Sequence, residues 1–164
     1  MTGIIRQHSS KVLNATETPN EARLCNCRNK QTCPLDGKCL SSCIVYRAEV
    51  INDNNTKIYY GASEGEFKTR YNNHIKSFRH KKYCSETELS KHIWNLKDNN
   101  INYTLRWSIE SFASPYKCGS KRCDLCLTEK LCIIKADTRH LLNKRNELIS
   151  KCRHKNKHLL SNLK

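Results

Sequence analysis

A tyrosine pair, an arginine and a histidine stand close together in this chain and have side chains that could cleave a phosphodiester. The tyrosines belong to the triplet Tyr59-Tyr60-Gly61, and Arg70 and His74 follow it, four residues apart. Hydrolysis of a phosphodiester needs a base that activates water and fixed positive charge beside the phosphate, and it often uses a metal held by a carboxylate. The chain contains all three kinds of residue, so this stretch is a candidate hydrolytic site.

Apolar periodicity predicts the elements that position these residues. Runs rich in apolar and aromatic residues over 44–50 and 58–60 flank a turn rich in Asn and Asp, which is typical of a β-hairpin. Apolar residues then recur at i, i+4, i+8 and i+11 from Phe67, the spacing of a helix. Arg70 and His74 are therefore expected one turn apart at the edge of that apolar stripe, pointing together toward the hairpin.

Further elements are expected downstream. The run Ser85-Glu86-Thr87-Glu88 has the form of a capping box and predicts a helix that starts at Ser85. Strict alternation over 103–110 predicts a third strand, with one buried face and one wet face. A helix is expected over about 124–135, and another short helix after Arg139. The predicted fold class is α+β, with a small three-stranded antiparallel sheet flanked by helices.

Charge and length restrict the partners and the location. The 164 residues include 30 Lys and Arg against 15 Asp and Glu, a net charge of +15. One domain with a modest core and a polyanionic partner are expected, with DNA the leading candidate. A basic solubility surface or an anionic membrane surface is the alternative. No apolar run is long enough to span a bilayer, and the start lacks a signal-like apolar segment, which predicts an intracellular, nuclear protein.

The eleven cysteines fall into two main groups. Their odd number fits poorly with complete pairing, and in a reducing compartment such groups more often hold zinc than form disulfides, which remain the alternative. The first group offers four zinc ligands and a spare: Cys25, Cys27, Cys33, Cys39 and Cys43. The second could form a Cys₃His site: Cys123, Cys126, Cys152 and His154. Three cysteines have no assigned ligand role: Cys84, Cys118 and Cys132, the last expected to pack inside its helix.

The ordered set of these residues resembles the GIY-YIG nuclease superfamily over roughly residues 43–145. Ile44-Val45-Tyr46 stands where that family has its first triplet, and Tyr59-Tyr60-Gly61 stands where it has its second. The helix that carries Arg70 and His74 matches the first helix of the family. Three features are most similar to the endonuclease domain of Penelope-like retroelements: the cysteine-rich segment 25–43, the Cys123-Asp124-Leu125-Cys126 run before Glu129, and the basic tail.

The resemblance implies a divalent-metal-dependent DNA endonuclease. Glu129 would bind one Mg²⁺ or Mn²⁺ ion. Tyr46 would assist deprotonation of the attacking water, with Tyr59 orienting the water or the phosphate. Arg70 would contact the phosphate through two nitrogens, which lysine cannot do, and His74 would shuttle a proton or bond the substrate. Other matched positions accompany them: Gly61, Lys68 and Asn143.

Two features bear on whether this site is active. Glu129 lies four residues from both Leu125 and Ile133, on an apolar helix face where an unpaired charge is costly and calls for a functional reason. Ile44, however, replaces the first glycine of the family pattern, and its bulk could block close backbone approach. The alternative function is therefore a catalytically inactive, zinc-containing nucleic-acid-binding module. A secreted, disulfide-rich binder is a weaker third possibility.

The resemblance also divides the chain into four segments. Residues 1–24 are expected to be a flexible polar lead, and residues 25–43 a cysteine-rich zinc-binding segment. Residues 44–145 would form the nuclease-like domain, and the basic tail 146–164 would contribute Cys and His ligands. A reverse transcriptase module in a parent element is a further expected partner.

Overall fold

Three strands and three α-helices make up the computed structural model, which describes residues 23–53, 55–117, 119, 123–144 and 152. Two short 3₁₀ turns accompany them, at Lys30–Thr32 and Lys81–Tyr83. The elements follow in this order: β1 (Ile44–Asn52), β2 (Asn55–Ser63), α1 (Phe67–Arg79), α2 (Glu88–Asp98), β3 (Thr104–Phe112) and α3 (Asp124–Lys135). The α+β class expected from the sequence is confirmed.

The sheet is antiparallel with β1 at its centre, in the order β2-β1-β3. Strands β1 and β2 pair without interruption from Ile44 opposite Ser63 to Asn52 opposite Asn55, so the hairpin turns at the predicted Asn/Asp run. The pairing of β1 with β3 shifts between Val45 and Tyr46, because β3 has an extra residue there. The three-stranded antiparallel sheet is therefore confirmed.

Alternate residues of the hairpin pack into two separate apolar clusters, because successive side chains of a strand point to opposite faces. Tyr46 and Tyr59 pack with Phe67 of α1 and with apolar residues of α2. Val45 and Tyr60 pack with the inward side of α3. Helices α1 and α2 therefore cover one face of the sheet, and α3 covers part of the other. No helix in the described part of the chain is long and apolar enough to cross a membrane.

Helix α2 begins at Glu88, so the predicted start at Ser85 is wrong. Thr87 is the N-cap residue, with an extended backbone, and its Oγ1 accepts a hydrogen bond from the amide of Ser90 at 3.0 Å. Ser85 and Glu86 instead continue the turn after Lys81–Tyr83, since the Glu86 amide donates to the Tyr83 carbonyl. The cap therefore lies two residues later than the capping-box pattern indicated.

The short helix expected after Arg139 is also wrong for the part that the structure describes. Leu141 forms a parallel bridge with Ile58. The amide of Ile58 donates to the His140 carbonyl at 2.7 Å, and the amide of Leu142 donates to the Ile58 carbonyl at 2.8 Å. This segment is extended because it pairs with the outer edge of β2. The rest of the expected helix lies outside the described residues, as do residues 1–22 of the polar lead.

Candidate active site

Tyr46 lies at the centre of the candidate site, and its ring crosses the neighbouring strand at Gly61. The two residues are directly paired between β1 and β2, and Tyr46 is fully buried. A Cβ atom at position 61 would lie 2.3 Å from the phenol oxygen and 2.4 Å from the ring carbon that bears it. Real atoms do not approach so closely, so only glycine at this position leaves room for the phenol.

The phenol oxygen of Tyr46 joins Arg70 and His74 of α1 in one hydrogen-bonded series. Arg70 Nε donates to the phenol oxygen at 3.2 Å, and His74 Nε2 lies 2.8 Å from the same oxygen. A guanidinium can only donate, so the hydroxyl hydrogen of Tyr46 is left to point toward His74 Nε2. These contacts agree with the expectation that Arg70 and His74 face the hairpin together.

Burial sets the protonation states of Tyr46 and His74. Burial lowers the pKa of His74 to about 3, and the charge of Arg70 adds to the shift. The imidazole is therefore neutral at physiological pH and able to accept the Tyr46 hydrogen bond. Burial also raises the pKa of Tyr46, an effect that Arg70 partly offsets and Glu129 reinforces. The phenol is therefore protonated in the free protein.

Arg70 brings a permanent positive charge to the site, and its electrostatic partners show what surrounds it. Burial lowers the pKa of Arg70, but Tyr46, Tyr59 and Glu129 together raise it by more, so the net shift is upward. Tyr59 is buried, and its ring meets that of His74 edge to face, with centroids 6.0 Å apart. Tyr46, Tyr59 and His74 thus lie against one another, and Arg70 interacts with Tyr46, Tyr59 and Glu129.

Glu129 lies on α3 and interacts electrostatically with two members of this group. Leu125 and Ile133, four residues on either side, are both only 3% exposed, so Glu129 lies on the inward face of its helix, as its spacing predicted. Its negative carboxylate raises the pKa of both Tyr46 and Arg70. Since α3 and α1 pack on opposite faces of the sheet, the acidic and basic residues of the site are supplied by different layers.

Asn143 fixes the backbone of β2 between Tyr59 and Gly61. Its Oδ1 accepts a hydrogen bond from the Tyr60 amide and its Nδ2 donates to the Tyr60 carbonyl, both at 2.8 Å. Asn143 is buried, and these bonds satisfy the outer edge of the strand. Its contact is with backbone, and no local sequence pattern indicates a partner 83 residues away.

The first four cysteines form one cluster. The ligand atoms of Cys25, Cys27, Cys33 and Cys39 all lie within 4.8 Å of one another, and three of the six sulfur separations are 3.6–3.7 Å. A disulfide needs about 2.05 Å. Four sulfurs at about 2.3 Å from a tetrahedral zinc would lie about 3.8 Å apart. The cluster therefore fits a metal such as zinc, and Cys43 remains outside it, bonded to the Glu64 carbonyl.

The backbone of the segment that carries this cluster caps α1. The N-cap residue Glu66 makes no side-chain capping bond to any described residue. Instead the Phe67 amide donates to the Ser41 carbonyl at 2.9 Å, and the Lys68 amide donates to the Cys39 carbonyl at 2.8 Å. The Lys68 ammonium lies 3.8 Å from the Cys27 sulfur. Lys68 therefore connects α1 to the first cysteine cluster, where its side chain makes its bonds.

A second cluster lies at the start of α3. The ligand atoms of Cys123, Cys126 and Cys152 are within 4.8 Å of one another, and the sulfurs of Cys126 and Cys152 are 3.5 Å apart. Cys123 is the N-cap residue of α3, and Glu129 follows Cys126 by three residues, about one turn. The expected fourth ligand, His154, lies outside the described residues. Cys132 packs partly buried in the apolar cluster beside α3, as expected.

Among the described residues, these two sets are the groups of three or more Cys, His, Asp or Glu that could hold a metal. Glu129 belongs to neither set. No family model matches this chain, and neither a curated protein nor a solved structure does. Function is accordingly inferred from the site alone.

Proposed function

We propose that this protein is a divalent-metal-dependent endonuclease that hydrolyses phosphodiester bonds in DNA. The main support is the hydrogen-bonded series of Arg70, Tyr46 and His74, with Tyr59 and Glu129 close to it. It combines a proton-accepting group, a fixed positive charge and a carboxylate in one place. The net charge of +15 suits a polyanionic substrate.

Tyr46 accepts the proton of the attacking water while its own proton passes to His74 Nε2. The raised pKa of Tyr46 disfavours a standing phenolate, so the two transfers are coupled. His74 is a weak acceptor in the free protein because burial and the charge of Arg70 oppose its protonation. A bound phosphate brings negative charge beside Arg70, which lowers the cost of protonating the imidazole. The bond between His74 Nε2 and the Tyr46 phenol favours this shuttle over direct contact of His74 with substrate.

Arg70 binds the phosphate and holds the phenol at the same time. Its Nε is bonded to Tyr46, which leaves the two terminal guanidinium nitrogens for the phosphate oxygens. As negative charge develops on those oxygens in the transition state, the contact strengthens. Tyr59, whose ring meets that of His74, orients the attacking water or the phosphate.

Glu129 is the residue that would hold the divalent cation. A single carboxylate fits Mg²⁺ or Mn²⁺, because these ions commonly take one or two protein carboxylates and complete their shell with waters and substrate phosphates. When bound, the cation would polarise a phosphate oxygen and stabilise charge on it.

We further propose that the chain is a nuclease of the GIY-YIG type, similar to the endonuclease domain of Penelope-like retroelements, with zinc in both cysteine clusters. Support comes from the central-strand Tyr46, the Gly61 on its partner strand, the helix carrying Arg70 and His74, and the later helix carrying Glu129. Nuclear location and a reverse transcriptase partner follow from this proposal as expectations.

A second candidate is a zinc-containing nucleic-acid-binding module that no longer cleaves, which is motivated by Ile44 at the position where the GIY-YIG pattern has glycine. Ile44 is fully buried at the start of β1, opposite Ser63 and Phe112. The close backbone approach at this site occurs at Gly61, under the Tyr46 ring. Ile44 therefore fills the core, and its position weakens the case for lost activity.

A plasmid-nicking assay separates the two candidates. The parent chain should nick supercoiled DNA with added Mg²⁺ or Mn²⁺, and Glu129→Ala should lose about 100-fold or more in rate while still binding DNA. Glu86→Ala, which removes an exposed carboxylate elsewhere, is the matched control. If the parent binds DNA and never nicks it, the binding module is correct; nicking by Glu129→Ala at the parent rate rejects the proposed site.

A further inference from the structure

A groove of about 630 Å³ lies between α1, the end of α2 and β3. Its floor is largely aromatic and apolar, formed by Tyr71, Phe78, Tyr103 and Trp107. Tyr71, Tyr103 and Trp107 are only partly buried, so their rings are accessible from the groove. The volume is in the range of sites that enclose small organic groups.

The groove adjoins the candidate active site without being part of it. Trp107 packs against His74 and Tyr46, with ring centroids 5.3 and 5.8 Å apart. It lies on β3, opposite Ala48. The phenol of Tyr46 instead lies over Gly61 of β2, on the other side of the central strand. The two places therefore share one layer of side chains and lie over different edge strands of the sheet.

Positive charge surrounds one end of the groove. Arg79, Lys97 and Arg106 line it. Lys76 lies in the last turn of α1, and Lys81 and Lys82 follow the end of that helix. The nearby acidic residue Asp98 is bonded to Lys81 at 3.2 Å, and Asp36 is the acidic residue in the described lining of the groove. The charge around the aromatic floor is thus mainly positive, which suits a polyanion.

We infer that this groove binds an unpaired, single-stranded segment of nucleic acid. Accessible aromatic rings beside basic side chains form the combination that binds single strands, because bases stack on the rings while phosphates meet the cations. A duplex keeps its bases stacked inside and would offer only phosphates to this surface. The inference rests on the proposed function in taking nucleic acid as the partner, and it adds that the substrate contains unpaired nucleotides.

Binding of labelled oligothymidine and of a duplex of equal length tests this, with no divalent cation added so that no cleavage occurs. Oligothymidine should bind more tightly than the duplex. Tyr103→Ala should weaken oligothymidine binding by about tenfold, since stacking on one ring contributes on that scale. Tyr103→Phe, which keeps the ring, should bind like the parent. Arg79→Ala should weaken binding severalfold, and Lys117→Ala, an exposed charge outside the groove, should not.

Duplex binding by Tyr103→Ala serves as the check that this variant is folded, and it should equal that of the parent. Unchanged oligothymidine binding by both Tyr103→Ala and Arg79→Ala would overturn the inference. Equal competition by polyphosphate of matched charge would also overturn it, because it would show that charge alone governs binding. Either failure leaves nicking by the parent chain intact, and a failure to nick leaves this binding test unaffected.

Discussion

The two cysteine clusters have the same position relative to a helix and differ in how they are built. The first provides four thiols at the amino end of α1, which carries Arg70 and His74. The second provides three thiols among the described residues, at the amino end of α3, which carries Glu129. Arg70, His74 and Glu129 therefore all lie within about two helical turns of a helix end that adjoins a cysteine cluster.

Helix α2, which has no such cluster, shows what the clusters replace. It is capped by the side chain of Thr87, whereas the first amides of α1 are capped by carbonyls of the first cysteine segment. The first turn of a helix needs acceptors for its free amides. A cysteine loop held by a metal can supply them rigidly. We conclude that metal binding in this protein would fix the positions of the site residues as well as the fold.

Removing one thiol from each cluster should produce the largest effects and show whether the clusters act separately. Cys39→Ser should lose one bound zinc and lower the melting midpoint by about 10 °C or more, because a lost structural metal costs several kcal/mol. Cys126→Ser should lose the other zinc and loosen the region around Glu129, with a smaller change in the midpoint. Zinc content under reducing conditions and thermal melting measure both.

Cys84→Ser is the matched control for these variants, since Cys84 lies outside both clusters. It should keep the zinc content and midpoint of the parent. Unchanged zinc content and melting in Cys126→Ser would reject the second cluster as a metal site. A parent chain that holds no zinc and contains disulfides would reject both.

Between the two helices, the position of the Tyr46 phenol depends on Gly61. Gly61→Ala places a Cβ 2.3 Å from the Tyr46 oxygen, so the phenol must move away from Arg70 and His74. We expect a loss of about 1–3 kcal/mol in the free energy of unfolding. Nicking should fall by about 100-fold. Gly65→Ala is the control, because no atom lies within 4 Å of its added Cβ. Equal rates in the two variants would show that the phenol position is unimportant.

Asn143 anchors the strand that bears Tyr59 and Gly61, and its loss should have a smaller effect. Asn143→Ala leaves the amide and carbonyl of Tyr60 without their side-chain partner. We expect a destabilisation of about 2 kcal/mol, measured by urea unfolding, with zinc content unchanged. If zinc content fell as well, the β2 edge and the cysteine clusters would not be independent.

The buried His74 should make stability depend on pH. Its folded pKa, about 3, lies below the usual value of 6.5, so its contribution is fully present above pH 6.5. That contribution is lost as pH falls toward 3, because the unfolded chain binds the proton first, at roughly 1.4 kcal/mol per pH unit. His74→Gln should be less stable at neutral pH and should show a shallower loss of stability between pH 6 and 4, measured by urea unfolding. An equal slope in both proteins would contradict the burial of a neutral imidazole.

The sequence predicts the hairpin, α1, β3 and α3 because apolar spacing of two or 3.6 residues is a local property. It does not distinguish Ser85 from Thr87 as a cap, because both precede residues that can complete a cap. It also misassigns Leu141, because an apolar residue in a basic segment fits a helix as well as a strand. The outer edge of β2, which β1 leaves open, pairs with this segment and makes it extended. This edge exists only in the folded sheet.

The candidate site was predictable to a similar extent. Spacing places Arg70 and His74 together and Glu129 on an inward helix face. The crossing of Tyr46 over Gly61 depends on the register of β1 against β2, which spacing alone does not set. The bond of Asn143 to Tyr60 depends on where the chain returns after α3. Long-range contacts of these kinds have no local signature in a single sequence.

The central claim is that residues from α1 and α3 act as one hydrolytic site, and a double-mutant comparison of nicking rates tests it most directly. Arg70→Ala and Glu129→Gln should each slow nicking by about 100-fold or more. The double variant should be about as slow as the slower single variant, since groups that act as a unit are strongly non-additive. Parent-like nicking by either single variant, or a double loss equal to the product of the two single losses, would contradict the claim.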